Sequence, residues 1–271
     1  MTQRDFWGKV VVITGAAGGL GRALARAFAA AGARIAVLDC DAAGAEILAA
    51  ELRSEGRQAL GLACDVSDAA ACERAIGEVM RSWSRIDVLI NNAGITHRSA
   101  YRRTDPAVTR RVMEVNFFGS VQCTRAAMDA LLESHGLIIV ISSVAGFAPL
   151  IARTGYAAAK HALHGFFESL RTELAEDGVG VLMVCPSFIA TGIDRNALGG
   201  DGRPARHAQQ IVGARAQAED IATAILHAAR SGRHLLLPGR MAKLAWWVSR
   251  LMPGYYARAM ARRLRGEMNG D

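Results

Sequence analysis

Residues 11–28 read VVITGAAGGLGRALARAF, an apolar β-branched run, a glycine-rich turn, and then a segment with apolar side chains at helical spacing. Gly15, Gly19 and Gly21 let the backbone turn tightly and approach a pyrophosphate, whose charge then sits on the helix N-terminus. A glycine cluster alone is equally a tight turn; the strand before it and the helix after it point to a nucleotide. Asp39 closes the next apolar run, where a carboxylate binds ribose hydroxyls or simply caps the strand. The same carboxylate repels a 2′-phosphate, and Gly18 brings no compensating cation. The expected cofactor is NAD rather than NADP.

The same alternation continues along the chain. Apolar runs fall at Lys9–Thr14, Arg34–Asp39, Gln58–Cys64, Ile86–Ile90, Leu137–Ser142, Val179–Val184 and His234–Leu237. Several are apolar at every position, as strands covered on both faces are. Helical spacing marks Leu20–Ala31, Ala42–Glu55, Asp68–Trp83, Val112–Glu133, Tyr156–Glu176 and Glu219–Ser231, with Asp68 a candidate N-cap and Gly32 and Gly178 candidate stops. This predicts an α/β fold, a single Rossmann-like doubly wound parallel sheet of about seven strands with helices on both faces. Ligands are expected beyond the C-terminal ends of the strands. Residues 1–238 form the expected catalytic domain, and 239–271 a helical extension that is not an independent domain. The irregular stretch Asn196–Arg206, NALGGDGRPAR, is expected to be mobile and a candidate lid.

Composition narrows the class. The 271 residues are 51% hydrophobic and 21% charged, which excludes a disordered chain. No stretch approaches the ~18 uncharged apolar residues of a membrane span, and the first ten residues carry no signal-peptide core. Cys40, Cys64, Cys72, Cys123 and Cys185 are far apart in sequence, odd in number and without CxxC spacing. Neither a disulfide framework nor a metal site is expected, and a cytoplasmic location fits.

A second cluster surrounds Tyr156-Ala-Ala-Ala-Lys160. Positions i and i+4 share a helix face, so phenol and ammonium converge. A free phenol titrates near 10 and moves protons poorly at neutral pH; a nearby lysine cation, aided by an oxidised nicotinamide, favours the phenolate. Tyr-x-x-x-Lys by itself is a common surface pair. Here it follows LIIVISSVAG, a buried strand ending in Ser142 and Ser143, and a serine hydroxyl there can donate to a carbonyl becoming an alkoxide. His161 and His164 lie on the same helix and are read as packing or surface residues.

Together these residues resemble the short-chain dehydrogenase/reductase family in its compact single-domain branch, over about residues 8–237. Thr14-Gly15-x-x-x-Gly19-x-Gly21 is similar to the family's cofactor turn, Asp65–Val66 to its adenine contact, and Asn91-Asn92-Ala93-Gly94 to its motif after the fourth strand. Asn116, Ser143, Tyr156 and Lys160 match its catalytic tetrad. Pro186-Ser187-x-x-x-Thr191 stands where a Pro-Gly-x-x-x-Thr pattern is usual. Two departures are Ser187 for glycine, beside the expected nicotinamide, and Gly18–Gly19, which also fits the spacing of the extended branch. The resemblance implies that Tyr156 is the general acid/base and that Lys160 tunes it and binds the nicotinamide ribose. Ser143 then holds the substrate oxygen, and Asn116 positions a water linking Lys160 to solvent. Gly15, Gly19, Leu20, Gly21, Asp39, Asp65, Val66, Asn92, Ala93, Gly94, Tyr156, Lys160, Pro186, Ile189 and Thr191 are the implied cofactor contacts.

The expected activity is interconversion of a secondary alcohol and a ketone with NAD. The tetrad helix resembles hydroxysteroid-dehydrogenase-like members, and Phe147, Leu150, Phe188 and Ile193 are candidate cleft residues. Both suggest an apolar steroid-, retinoid- or acyl-like substrate. A 3-oxoacyl thioester reductase using NADPH is the second enzyme reading. A non-catalytic NAD(H) sensor or scaffold is the reading from another class; it predicts a broken tetrad, and all four positions are intact. Family members commonly dimerise through the helices holding Asn116 and Tyr156, so a homodimer or homotetramer is expected.

The net charge of +7 resides at one end. Residues 1–229 carry 23 basic and 23 acidic side chains, and 230–271 carry nine and two. A neutral body without a recognition motif argues against nucleic-acid binding. In the tail, Met241, Leu244, Ala245, Val248, Leu251 and Met252 form one apolar stripe at 100° per residue. Arg240, Lys243 and Arg250 lie opposite, with Trp246 and Trp247 among them, and Pro253–Gly254 breaks the helix. The tail either attaches peripherally to an anionic membrane or packs over the substrate cleft or a dimer partner.

Overall fold

The computed structural model describes residues 3–192, 196–205 and 215–268. Seven strands, β1 (Val10–Thr14), β2 (Arg34–Asp39), β3 (Ala59–Ala63), β4 (Val88–Asn91), β5 (Leu137–Ile141), β6 (Gly180–Val184) and β7 (Leu235–Leu236), form one sheet in the order β3-β2-β1-β4-β5-β6-β7. Every pairing is parallel, which explains the uninterrupted apolar runs. Val11 and Ile13 pack with Leu24, Phe28, Ile221 and Ile225 on one face. Val10 and Val12 pack with Ile76, Val79, Ala127 and Phe167 on the other.

The first face is covered by α1 (Gly19–Ala30), α2 (Ala42–Ser54) and α7 (Ala218–Arg230), and the second by α3 (Ala69–Trp83), α5 (Gly119–Glu133) and α6 (Thr154–Glu173). Asp68 caps α3 by accepting from the Ala70 N–H at 2.9 Å, satisfying one of the open donors of a helix start. The long helix expected over 112–133 is divided. Helix α4 (Pro106–Met113) begins at Asp105, which accepts from the Ala107 N–H. A π-turn, Glu114–Phe118, then inserts before α5.

The strand order reverses between β1 and β4, so their C-terminal ends part and leave a crevice. The stretch Asn196–Arg206, expected to be a mobile lid, is hydrogen-bonded to a neighbouring loop in its described part. Leu198 donates to the Thr96 carbonyl, Arg98 to that of Leu198, and Asp105 to that of Gly200; these bonds tie the segment to the loop carrying residues 96–105. Arg206 lies outside the described residues. The tail forms α8 (Gly239–Leu251) and α9 (Pro253–Arg263) and ends in a short turn, Arg265–Met268.

Candidate active site

The turn after β1 is shaped by contacts a side chain would block. Gly15 has φ +62°, and a Cβ there would stand 2.7 Å from the Ala93 Cα. At Gly21 a Cβ would stand 2.2 Å from the Gly15 carbonyl oxygen. Gly21 therefore lets α1 close against β1 from behind the turn and does not itself line the crevice. Thr14 Oγ1 accepts from the N–H groups of Asn92 and Ala93, each at 3.0 Å. The Asn92 side chain donates back to the carbonyls of Thr14 and Gly15 at 2.9 Å. The two motifs thus hold one another through Thr14, the first residue of the turn motif.

The crevice is a cavity of about 680 Å³. Gly15, Gly19, Leu20, Asp39, Asp65, Val66, Asn92, Ala93 and Gly94 line it together with Ser143, Tyr156, Lys160, Pro186, Ile189 and Thr191. Asp39 accepts from the Ala17 N–H at 2.9 Å and the Asp41 N–H at 3.0 Å, which aims its carboxylate at the turn. Arg22, a nearby cation, is paired with Glu51. Asp65 is held by Ser67 and faces Arg111 at 3.5 Å; the Ser67 hydrogen bonds lower its pKa against the opposing effect of burial. An elongated dinucleotide fits this donor set and volume.

Around the tetrad, Lys160 is buried and its ammonium donates to the Ile141 carbonyl at 2.8 Å, 5.6 Å from the centre of the Tyr156 ring. Burial lowers Lys160 to about 8. The Tyr156 phenol is pushed up by burial, and the forces opposing that are the Ser143 hydroxyl and the charge of Arg153. Arg153 was not foreseen from the sequence: it immediately precedes α6, lines the cavity and is 2% exposed. Ser143 Oγ accepts from the Ala145 N–H at 3.1 Å, and its own proton is placed to be shared between the Tyr156 oxygen and a ligand oxygen. Asn116 sits on the π-turn, fully buried and set back from the cavity; its amide donates to the carbonyls of Ile95 and Val112. Its Oδ1 has no hydrogen-bond partner among the described residues, so it is open to accept one.

Two sequence expectations are corrected. Phe147 packs against His164 and the core, not the cleft, whereas Leu150 and Phe188 do line the cavity; Ile193 lies outside the described residues. The cysteines are not all apart: Cys64, Cys72 and Cys123 converge, with ligand atoms within 4.8 Å of one another. Parallel topology brings β3, α3 and α5 together, which spacing along the chain does not reveal. All five cysteines are free.

Helix α8 contributes Met241, Leu244, Ala245 and Val248 to the cavity wall, and α9 contributes Tyr256, Met260 and Arg263. Of the predicted apolar stripe, Met241, Leu244, Ala245 and Val248 therefore line the cavity, whereas Leu251 and Met252 do not. Trp246 stacks under Arg250, 3.9 Å from the ring centre, while Trp247 and Leu251 remain 58% and 71% exposed. No helix among the described residues is long and apolar enough to cross a membrane.

Comparison with known proteins agrees with this architecture. The family model described as short chain dehydrogenase matches residues 9–200. The chain is 38% identical over 266 residues to the cattle protein "Dehydrogenase/reductase SDR family member 7B", covering 95% of this chain and 82% of that one. An Anopheles gambiae "Dehydrogenase/reductase SDR family protein 7-like" is 34% identical over 267 residues, with coverages of 96% and 84%. Among solved structures, a short chain dehydrogenase/reductase from Burkholderia phymatum in complex with NAD superposes with a TM-score of 0.83 at 26% identity, covering 93% of this chain and 96% of that one. An alcohol dehydrogenase from the archaeon Thermococcus sibiricus, complexed with 5-hydroxy-NADP, superposes at 0.71 and 26% identity, with coverages of 80% and 88%. With a matching family model over most of its length and relatives above 30% identity across nearly all of it, the chain belongs to the short-chain dehydrogenase/reductase family of oxidoreductases.

Proposed function

We propose that the protein interconverts a secondary alcohol and a ketone with NAD, on an apolar substrate. The observation that carries this is the convergence of Ser143, Tyr156 and Lys160 on one cavity with the glycine turn and Asp39. Bound nicotinamide supplies the hydride acceptor or donor. The protein's own residues do the rest. Ser143 donates to the substrate oxygen, Tyr156 takes or gives the hydroxyl proton, and Lys160 holds the ribose and favours the phenolate. Asn116 Oδ1 accepts from a water on the proton path. Asp39 favours NAD because its carboxylate meets the ribose where a 2′-phosphate would be repelled and Arg22 is engaged by Glu51. The apolar wall of Leu150, Phe188, Met241, Val248 and Met260 supports the substrate class. A 3-oxoacyl thioester reductase would prefer NADPH, against Asp39, and a pure sensor would show no turnover. Initial rates with NAD⁺ and NADP⁺ over a panel of secondary alcohols, steroids and 3-hydroxyacyl thioesters included, separate the three; NADP⁺ preference would overturn the Asp39 argument.

We also propose a homodimer through the faces of α5 and α6. Phe118 and Phe166 are 42% and 37% exposed there and meet Phe117 edge-on. Burying such a ring is worth about 1.5–3 kcal/mol, so Phe118→Asp with Phe166→Asp should give a monomer by light scattering. An unchanged mass would refute this face.

Location is proposed as cytoplasmic and peripheral to membrane. Trp247, Leu251, Met252 and Tyr255 are exposed on the tail, in the same segment as Arg240, Lys243 and Arg250, and each cation close to an anionic surface contributes about 1 kcal/mol. Sedimentation with phosphatidylserine liposomes is expected at low salt, lost at high salt, and weakened several-fold by Trp247→Ser with Leu251→Ser. Equal sedimentation of that variant, or none of the parent, would remove the idea.

A further inference from the structure

Among the eleven charged residues of 230–271, nine are basic, and a carboxylate there would by default lie in solvent among them. Glu267 instead is 0% exposed, its Oε2 3.4 Å from Nη1 of Arg153. Removing two ions from water costs several kcal/mol each, which only a well-placed partner offsets. The segment around it is seated equally deliberately. Leu264 is fully buried, and Arg103, in the turn Tyr101–Arg103, donates to the Met268 carbonyl. Residues 264–268 are therefore anchored on the loop of residues 96–105, whose Thr96 and Arg98 line the cavity. Arg153 lies one turn before Tyr156, lines the same cavity, and acts electrostatically on the phenol.

We propose that Arg153 and Glu267 are a positioning pair for the proton-transfer step: Arg153 presents a cation to Tyr156, and Glu267, carried in by the tail, holds that cation in place and offsets part of its field. The proposal rests on the reading of Tyr156 as general acid/base. It makes Glu267 part of the active site's electrostatics, beside the tail residues that form its wall. The other titratable and charged groups at this end are Lys160 on α6, Arg98 and His97 on the 96–105 loop, Cys185 after β6, and Tyr256 and Arg263 on α9. His97 is driven to about 4 by burial and by Arg153, and its Nε2 accepts from the Gly155 N–H, so it is neutral through the working range. Cys185 is raised to about 12 by burial and is likewise neutral.

The test is a spectroscopic titration of the phenolate in the NAD⁺ complex of the full chain, with the Tyr156→Phe curve subtracted to remove the other three tyrosines. Glu267→Gln leaves the Arg153 charge uncompensated, so the Tyr156 midpoint should fall by roughly half a unit or more. Arg153→Met should raise it by a comparable amount, and Arg153→Lys should restore it. In the Arg153→Met background Glu267→Gln should move the midpoint less than it does in the parent, because the cation that the carboxylate faces at 3.4 Å is gone. Glu267→Asp keeps the charge and should keep the midpoint. Thermal unfolding and NADH binding, read in parallel, show that each variant is folded; where the Met or Gln variant is not, Arg153→Gln or Glu267→Asn removes the same charge and takes its place with the same expected shift. An unmoved midpoint in Glu267→Gln, the same shift in both backgrounds, or equal shifts for Gln and Asp would overturn the pair. Undiminished turnover in Tyr156→Phe would instead overturn the reading of Tyr156, an outcome the titrations do not depend on.

Discussion

Tyr156→Phe is expected to lower kcat by about 10²–10⁴-fold, the range a single general acid/base contributes, while NADH affinity and the unfolding midpoint stay near those of the parent. The substitution deletes one oxygen and keeps the ring. Lys160 retains its bond to the Ile141 carbonyl and its place 5.6 Å from the ring centre, and Ser143 retains its bond from Ala145. What disappears is the group that exchanges a proton with the substrate hydroxyl. The pH dependence gives the sign. Oxidation needs the phenolate, so the parent rate should rise with pH through the Tyr156 midpoint, and reduction, which needs the phenol, should fall. Burial raises that midpoint, with Ser143 and Arg153 working against it. Lys160, lowered to about 8 by burial, carries its full charge below that pH, where it favours the phenolate. The residual rate of the variant should lack the Tyr156 limb in both directions. A variant retaining more than about a tenth of the parent rate, outside the range for general acid/base catalysis, would sink the mechanism.

What could be read from the sequence was local. The strand–glycine–helix run and the Tyr-x-x-x-Lys pair are encoded within one turn or one helix, where spacing along the chain is spacing in space. The uninterrupted apolar runs announced strands covered on both faces, and Val10–Thr14 and Leu137–Ile141 are buried at every position. Helix α4 was legible but passed over: Asp105-Pro106 is a cap followed by a residue suited to the first helical position. The π-turn that sets Asn116 has no cap or breaker residue to announce it, only a one-residue shift in the phase of the apolar positions. Other features had no local signal at all. Arg153 and Glu267 meet only because the tail folds back over the cavity, and Cys64, Cys72 and Cys123 meet only because three elements pack on one face of the sheet. Phe147 failed for a related reason: lying next to cleft residues in sequence does not fix which way a side chain points after a tight turn.

The second large effect should come from the glycine turn, and its two neighbouring glycines should behave oppositely. An added methyl at Gly21 would stand 2.2 Å from the Gly15 carbonyl oxygen and 2.7 Å from the Ala16 Cα, both backbone atoms that cannot swing aside. Gly21→Ala therefore has to pry α1 away from β1, at the cost of about 1–3 kcal/mol typical of overpacking. At roughly 2–4 °C per kcal/mol, the midpoint of the cofactor-free protein should drop by several degrees. The same displacement moves the start of α1 and the Asn92 amide that spans the turn, whose Nδ2 lies 2.8 Å from the added methyl. NADH binding should weaken about 10- to 100-fold, since each 1.4 kcal/mol is a factor of ten. At Gly18 an added methyl meets nothing within 4 Å, and the backbone is extended at φ −147°. Gly18→Ala should leave the cofactor-free midpoint unchanged. Differential scanning calorimetry of the two variants without cofactor, followed by fluorescence titration with NADH, decides the matter. Equal midpoints for both would mean that α1 is not held against the turn by contact at Gly21, and the account of how this sequence builds its dinucleotide seat would fall with it.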